Sequence, residues 1–149
     1  MTGEQQRMAV ITEARTWLAT PWHHGARIKG VGVDCAQYLA AVYAACGLVP
    51  HIQTDPYPMD WHMHRDEPRF LCHLLRHACP VERSLPADIA MFRFGRHAAH
   101  GAIVIRWPQI IHAYIDEGGV VLSDAGTGRL AERFAGFYRL RIWAPEAPA

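Results

Sequence analysis

An α+β domain is what this sequence predicts, with helices first and a mostly antiparallel sheet second. Apolar residues recur at helical spacing only in the first half of the chain. After Pro86 the pattern changes to short β-rich runs divided by Gly, Pro and Asp turns. The chain has 149 residues, 50% hydrophobic and 19% charged, which suits one core and one domain spanning residues 1–149. No internal repeat interrupts it.

The first helix is expected from about Gln5 to Ala19, with Met8, Ile11, Ala14 or Arg15, and Leu18 on its inner face; Thr20-Pro21 should stop it. A Gly-rich connector, Gly25 to Gly32, leads to Asp34, placed to cap a second helix from Cys35 to Cys46 that Gly47 closes. Apolar on every side, this helix should be the central buried one. Leu48 to Pro68 carries Pro50, Pro56, Pro58 and Pro68 without a period and reads as an irregular surface excursion, its Trp61, His62 and His64 open to binding a partner or glycan. Arg69 to Ala78 suggests a short third helix ended by Pro80. Strands are expected at Ile89–Phe94, Gly101–Arg106, Ile110–Tyr114, Val120–Ser123 and Phe137–Trp143, with a frayed Pro/Ala-rich tail from Ala144 to Ala149.

Charge excludes several function classes. Fifteen Lys plus Arg against fourteen Asp plus Glu leave a formal net charge of +1, so no long-range field draws nucleic acid or anionic lipid. Met1 to Arg15 lacks the apolar core of a secretory signal, and no run approaches the roughly 20 apolar residues of a membrane span. The expectation is a cytoplasmic product on synthesis, without membrane insertion, that leaves the cell by lysis or in a particle. Ten His make its charge sensitive to pH near neutrality. Cys35 and Cys46, on one helix, stand about 16 Å apart, too far for a disulfide. Cys72 and Cys79 are also expected as thiols.

Cys35 occupies the first turn of the central helix behind Asp34. Amides at a helix start favour a thiolate, the reactive form of cysteine. Cys46 sits at the opposite end, where the dipole disfavours an anion. A cysteine nucleophile needs an imidazole base and a group holding that ring's second nitrogen. His100 opens one predicted strand and His112 lies in the next. If the turn centres on Trp107, His112 opposes Ala102 and is the diagonal, same-face neighbour of His100, whereas a slip of one residue would separate them. His97, expected in the preceding loop, is a competing base.

These residues resemble a known family, the NlpC-type cell-wall cysteine peptidases of papain-like fold. The matching stretches run in order: Thr20-Pro21-Trp22 with Gly25, Gly32-Val33-Asp34-Cys35, Pro86-Ala87-Asp88-Ile89, His100-Gly101-Ala102-Ile103-Val104 and Ile111-His112-Ala113. The resemblance implies that Cys35 attacks an amide of a peptidoglycan stem peptide, with His100 as base and His112 as its orienter, without metal or cofactor. The implied bond is D-glutamyl to diaminopimelate. Arg27-Ile28-Lys29-Gly30-Val31-Gly32 and Asp55-Pro56-Tyr57-Pro58 are most similar to the branch found in tails of phages and gene-transfer particles, which implies tail proteins as partners. Three departures stand out. Asp34-Cys35-Ala36-Gln37 replaces the usual Asp-Cys-Ser-Gly, His24 stands where many relatives have Trp, and Trp22 replaces a tyrosine whose hydroxyl serves the oxyanion. That role would pass to the Cys35 N–H with Trp22, His23 and Asp34 around it.

Three other readings stand beside the peptidase. One is an amidase or acyltransferase on the same fold. Another is a zinc site of Cys72, His73, His77 and Cys79. The last is a non-catalytic tail component.

Overall fold

The structure, a computed structural model, describes residues 1–50, 76–94 and 97–144, with backbone alone at 97–99. Helix α1 (Gly3–Arg15) starts with a capping box in which Thr2 and Gln5 exchange side-chain and backbone hydrogen bonds. It ends four residues before the expected Ala19. Thr16 to Ala19 form turns, and Ala19 turns the chain with φ 69°. The inner face is also rotated from the one expected: Val10, Ile11, Ala14 and Trp17 are buried, while Met8 and Leu18 are exposed. The wide Trp17 ring, packed edge-on against Tyr38 at 5.9 Å, outweighs the regular spacing that Met8 and Leu18 offered.

The connector holds a miniature hairpin absent from the sequence reading, β1 (Arg27–Ile28) against β2 (Gly32–Val33). Helix α2 (Cys35–Ala45) follows as expected, capped by Asp34, whose side chain accepts from the Gln37 amide at 2.9 Å. Gly47 leaves it with φ 71°. Tyr38, Leu39, Val42 and Tyr43 are fully buried. The two tyrosine hydroxyls donate to Ala14 O and Ala87 O, satisfying the polar end of each ring and tying α2 to α1 and to the sheet.

The main sheet has the order β3-β8-β4-β5-β6-β7, all antiparallel. Its strands are β3 (Ala78–Val81), β4 (Ile89–Phe94), β5 (His97–Arg106), β6 (Gln109–Tyr114), β7 (Gly119–Asp124) and β8 (Phe134–Leu140), with a short helix α3 (Gly128–Arg133) before β8. Strand β4 matches its expected bounds, and β6 and β7 gain one residue or two at their ends. Three expectations need correction. Ala78, expected as the last residue of a third helix, instead opens edge strand β3; Pro80 is tolerated in it because an edge strand can do without one amide. Strand β5 begins at His97, which pairs with Phe94, so His97 is not in a loop. The last strand is Phe134–Leu140, and Arg141–Trp143 is a 3-10 turn. The excursion to residue 68 beyond residue 50, the third-helix residues 69–75 and the tail beyond residue 144 lie outside the described residues, as do Trp61, His62, His64, Cys72, His73 and Asp55 to Pro58.

Two apolar layers sandwich the sheet. Helices α1 and α2 cover Ile89, Met91, Ile103, Ile111 and Ala113 on one face, while Leu130 of α3 and a cluster of aromatics cover Ala90, Phe92, Ala102, Val104 and Ile110 on the other. Among the described residues, no helix is long and apolar enough to cross a membrane.

Candidate active site

Strand register places the two histidines. Ile103 opposes Ile111 and Val104 opposes Ile110, which sets Ala102 opposite His112, the alignment expected for a turn centred on Trp107. His100 and His112 thus become diagonal neighbours, and Nε2 of His100 meets Nδ1 of His112 in a 2.7 Å hydrogen bond. The pair is buried, and aromatic rings wall it in. Tyr114 stacks on His112 at 4.6 Å, and Phe94 meets His100 edge-on at 5.4 Å. Beyond His112, its Nε2 lies 2.8 Å from Ser123 Oγ on β7.

Cys35 reaches the same strand from the other direction. At Gly101 helix α2 comes so close to β5 that a β-carbon there would lie 2.6 Å from Leu39 Cδ1 and 3.2 Å from Met91 Sδ. Glycine is what lets the helix sit this low. The Gly101 amide then faces the Cys35 sulfur, as do the amides of Ala36 and Cys35 itself. The sulfur is thereby held one residue along β5 from His100, and Cys35 keeps partial exposure to solvent.

The electrostatics differ from the sequence expectation of a thiolate. Burial, and then the neighbouring Asp34 carboxylate, push the Cys35 thiol up to about 12 against the pull of the three amides. The helix start does supply donors, but desolvation outweighs them. Burial likewise holds the His100 imidazole down to about 4, with Asp116 pulling weakly the other way. His112 is kept well below the ordinary histidine range by burial and by its proximity to His100. At neutral pH the site is therefore a neutral thiol beside two neutral imidazoles.

The other nominated residues surround the start of α2. Asp34 is 3% exposed and accepts from Gln37 N at 2.9 Å and from Gly25 N at 2.7 Å. It therefore positions the nucleophile and the connector. Trp22 pairs with Val33 in an isolated parallel bridge and packs against the core, while the exposed His23 hydrogen-bonds Val33 O through its amide. Both are thus tied to Val33, two residues before Cys35. His77 and Cys79 of the zinc reading fall at β3, and no group of three potential ligands gathers among the described residues. Ser123 was missed in the sequence; the diagonal rule that paired His100 with His112 would have found it, once the β6–β7 register was known.

A second polar cluster anchors β4. Asp88 is fully buried, bonded by Arg7, Arg139 and the Leu85 amide.

No protein-family model matches this chain, and no curated protein does. Solved structures do. An NLP/P60-family protein similar to lipoprotein, from Staphylococcus aureus, superposes with TM-score 0.67 at 14% identity, over 93% of this chain and 42% of that one. The peptidoglycan hydrolase RipB of Mycobacterium tuberculosis gives 0.57 at 16% identity, over 93% and 65%. RipD of the same organism, a non-catalytic NlpC/p60 domain protein adapted to peptidoglycan binding, gives 0.59 at 13%, over 93% and 98%. The chain thus spans less than half of the first of these and nearly all of the last. At such identities the likeness is one of fold, and the fold is the papain-like NlpC/P60 fold.

Proposed function

We propose that this chain, built on the NlpC/P60 fold, is a cysteine endopeptidase that cleaves peptidoglycan stem peptides with Cys35 as nucleophile, His100 as base and His112 as its orienter. The observation that carries the reading is the 2.7 Å bond between the imidazoles, on the strand whose Gly101 amide faces the Cys35 sulfur. His112 occupies Nε2 of His100, so Nδ1 is the nitrogen left to serve the sulfur.

Because the thiol is neutral, attack and deprotonation belong to one step. As Sγ bonds to the amide carbon, its proton passes to Nδ1 of His100, which requires the two atoms to come within hydrogen-bond reach in the substrate complex. The amides at the head of α2 face the developing oxyanion, with Trp22 and His23 beside it. The imidazolium then protonates the leaving amine as the C–N bond breaks, giving a thioester. Water attacks the thioester, His100 takes its proton, and the sulfur leaves to recover that proton.

The D-glutamyl-diaminopimelate amide is the preferred bond, and a phage-like tail is the proposed setting. Both rest on the motif resemblance. Mass spectrometry of purified peptidoglycan treated with wild type and Cys35→Ser tests the whole reading. Newly freed amine and carboxylate ends with wild type alone support it. Acyl groups moved to another acceptor would mark a transferase. Binding to the wall without released fragments would match the non-catalytic behaviour named for RipD.

A further inference from the structure

Behind the two histidines lies a hydroxyl that the triad does not use. We propose that Ser123 is a positioning residue that decides which ring nitrogens of His112 and His100 carry protons, so that His100 presents a bare Nδ1 to Cys35. The proposal rests on the peptidase reading for its catalytic consequence, but its physical content concerns the resting protein.

The row runs from Nε2 of His100 to Nδ1 of His112 at 2.7 Å, and from Nε2 of His112 to Ser123 Oγ at 2.8 Å. Two neutral imidazoles so joined have two consistent proton arrangements. In one, each ring carries its proton on Nε2: His100 donates to His112, His112 donates to the serine oxygen, and Nδ1 of His100 is bare and basic. In the other, the serine O–H donates to His112, His112 donates through Nδ1 to His100, and His100 must hold its own proton on Nδ1. That second form cannot accept the proton of a thiol. The whole row is therefore read out at one atom.

Ser123 favours the first arrangement because it is only half-buried. Its own proton can face water while its oxygen accepts from the buried ring. Without that oxygen, Nε2–H of His112 would point from a fully buried ring at an apolar group. A buried N–H lacking an acceptor is less tolerable than a bare nitrogen lacking a donor. Removing the hydroxyl should therefore drive both rings to the unproductive arrangement without disturbing the aromatic walls of Phe92, Phe94 and Tyr114.

Two-bond proton–nitrogen NMR of the histidine-labelled full chain reads the tautomers directly. Wild type is expected to show Nε2–H on both rings. Ser123→Ala should move both protons to Nδ1 and lower kcat for wall-fragment release by about 10- to 100-fold at little-changed KM. Ser123→Thr, which keeps the oxygen, should restore both readouts. Nδ1–H at His100 in wild type, or unchanged tautomers in folded Ser123→Ala, would overturn the proposal; so would a folded Ser123→Thr that restores neither. If wild type shows the stated tautomers but releases no fragments, the peptidase reading fails and the assignment of the rings stands.

Discussion

The sheet carries two buried polar clusters that solve the same problem in opposite ways. At Asp88 the charge is kept and answered. Arg139 grips the carboxylate with contacts of 2.8 to 3.2 Å, Arg7 adds one at 3.0 Å, and the Leu85 amide another. At His100 and His112 the charge is expelled: burial among aromatic rings holds both imidazoles well below the ordinary histidine range. A saturated ion cluster has no lone pair or proton to give, so it can only brace the fold. A neutral, directional row of hydrogen bonds can pass a proton along.

Substitutions in the two clusters should therefore separate activity from stability. The largest effect is expected from His100→Gln, which keeps most of the ring's volume and should slow wall-fragment release by about 1,000-fold, roughly 4 kcal/mol of barrier, while lowering the urea midpoint less than Asp88→Ala does. Asp88→Ala should do the reverse. Leaving two guanidiniums around an empty site costs about 3–5 kcal/mol in urea unfolding, while turnover per folded molecule is retained. A His100→Gln protein that is merely unfolded, or an Asp88→Ala protein that is folded but dead, would erase the distinction.

Acid sharpens the contrast. A histidine whose pKa is lowered by folding contributes stability above its unfolded value, and that contribution is lost as pH falls. For His100 the window runs from 6.5 to about 4 and amounts to about 3 kcal/mol, with His112 acting in the same direction. Thermal unfolding of wild type should therefore fall over this range more steeply than that of His100→Gln. Gly101→Ala should cost about 1–3 kcal/mol by lifting α2 from β5, and should lower activity because the same contact seats Cys35. The smallest effect is expected at Ala87, buried at φ 73°, where glycine relieves backbone strain but removes a packed methyl. Ala87→Gly should stay within about 1 kcal/mol of wild type in the same urea assay.

Local signals were readable in the sequence where one residue decides the outcome. Asp34 caps α2, Gly47 ends it, and the turn at Trp107 sets the register that joins His100 to His112. What escaped depends on tertiary contact. Trp17 redirects the end of α1 by packing on Tyr38, and β3 exists because β8 offers it an edge. The hairpin of β1 and β2 has only two residues in each strand, too few for any period to show. The Cys35 environment was misjudged because a helix start is visible in sequence, whereas the desolvation that overrides it is not.

The margins of the main sheet have a consequence for how the protein behaves in company. Along β7, Ala19 and Thr20 exchange backbone hydrogen bonds with Val120, and Thr20 O crowds Gly119 so closely that no side chain would fit there. At the far margin, β3 carries Pro80. Among the described residues, one border is thus closed at Gly119 and Val120 and the other lacks a donor at Pro80, so each margin carries a break against an added strand. Strand addition by a neighbouring copy should therefore be hindered at these positions.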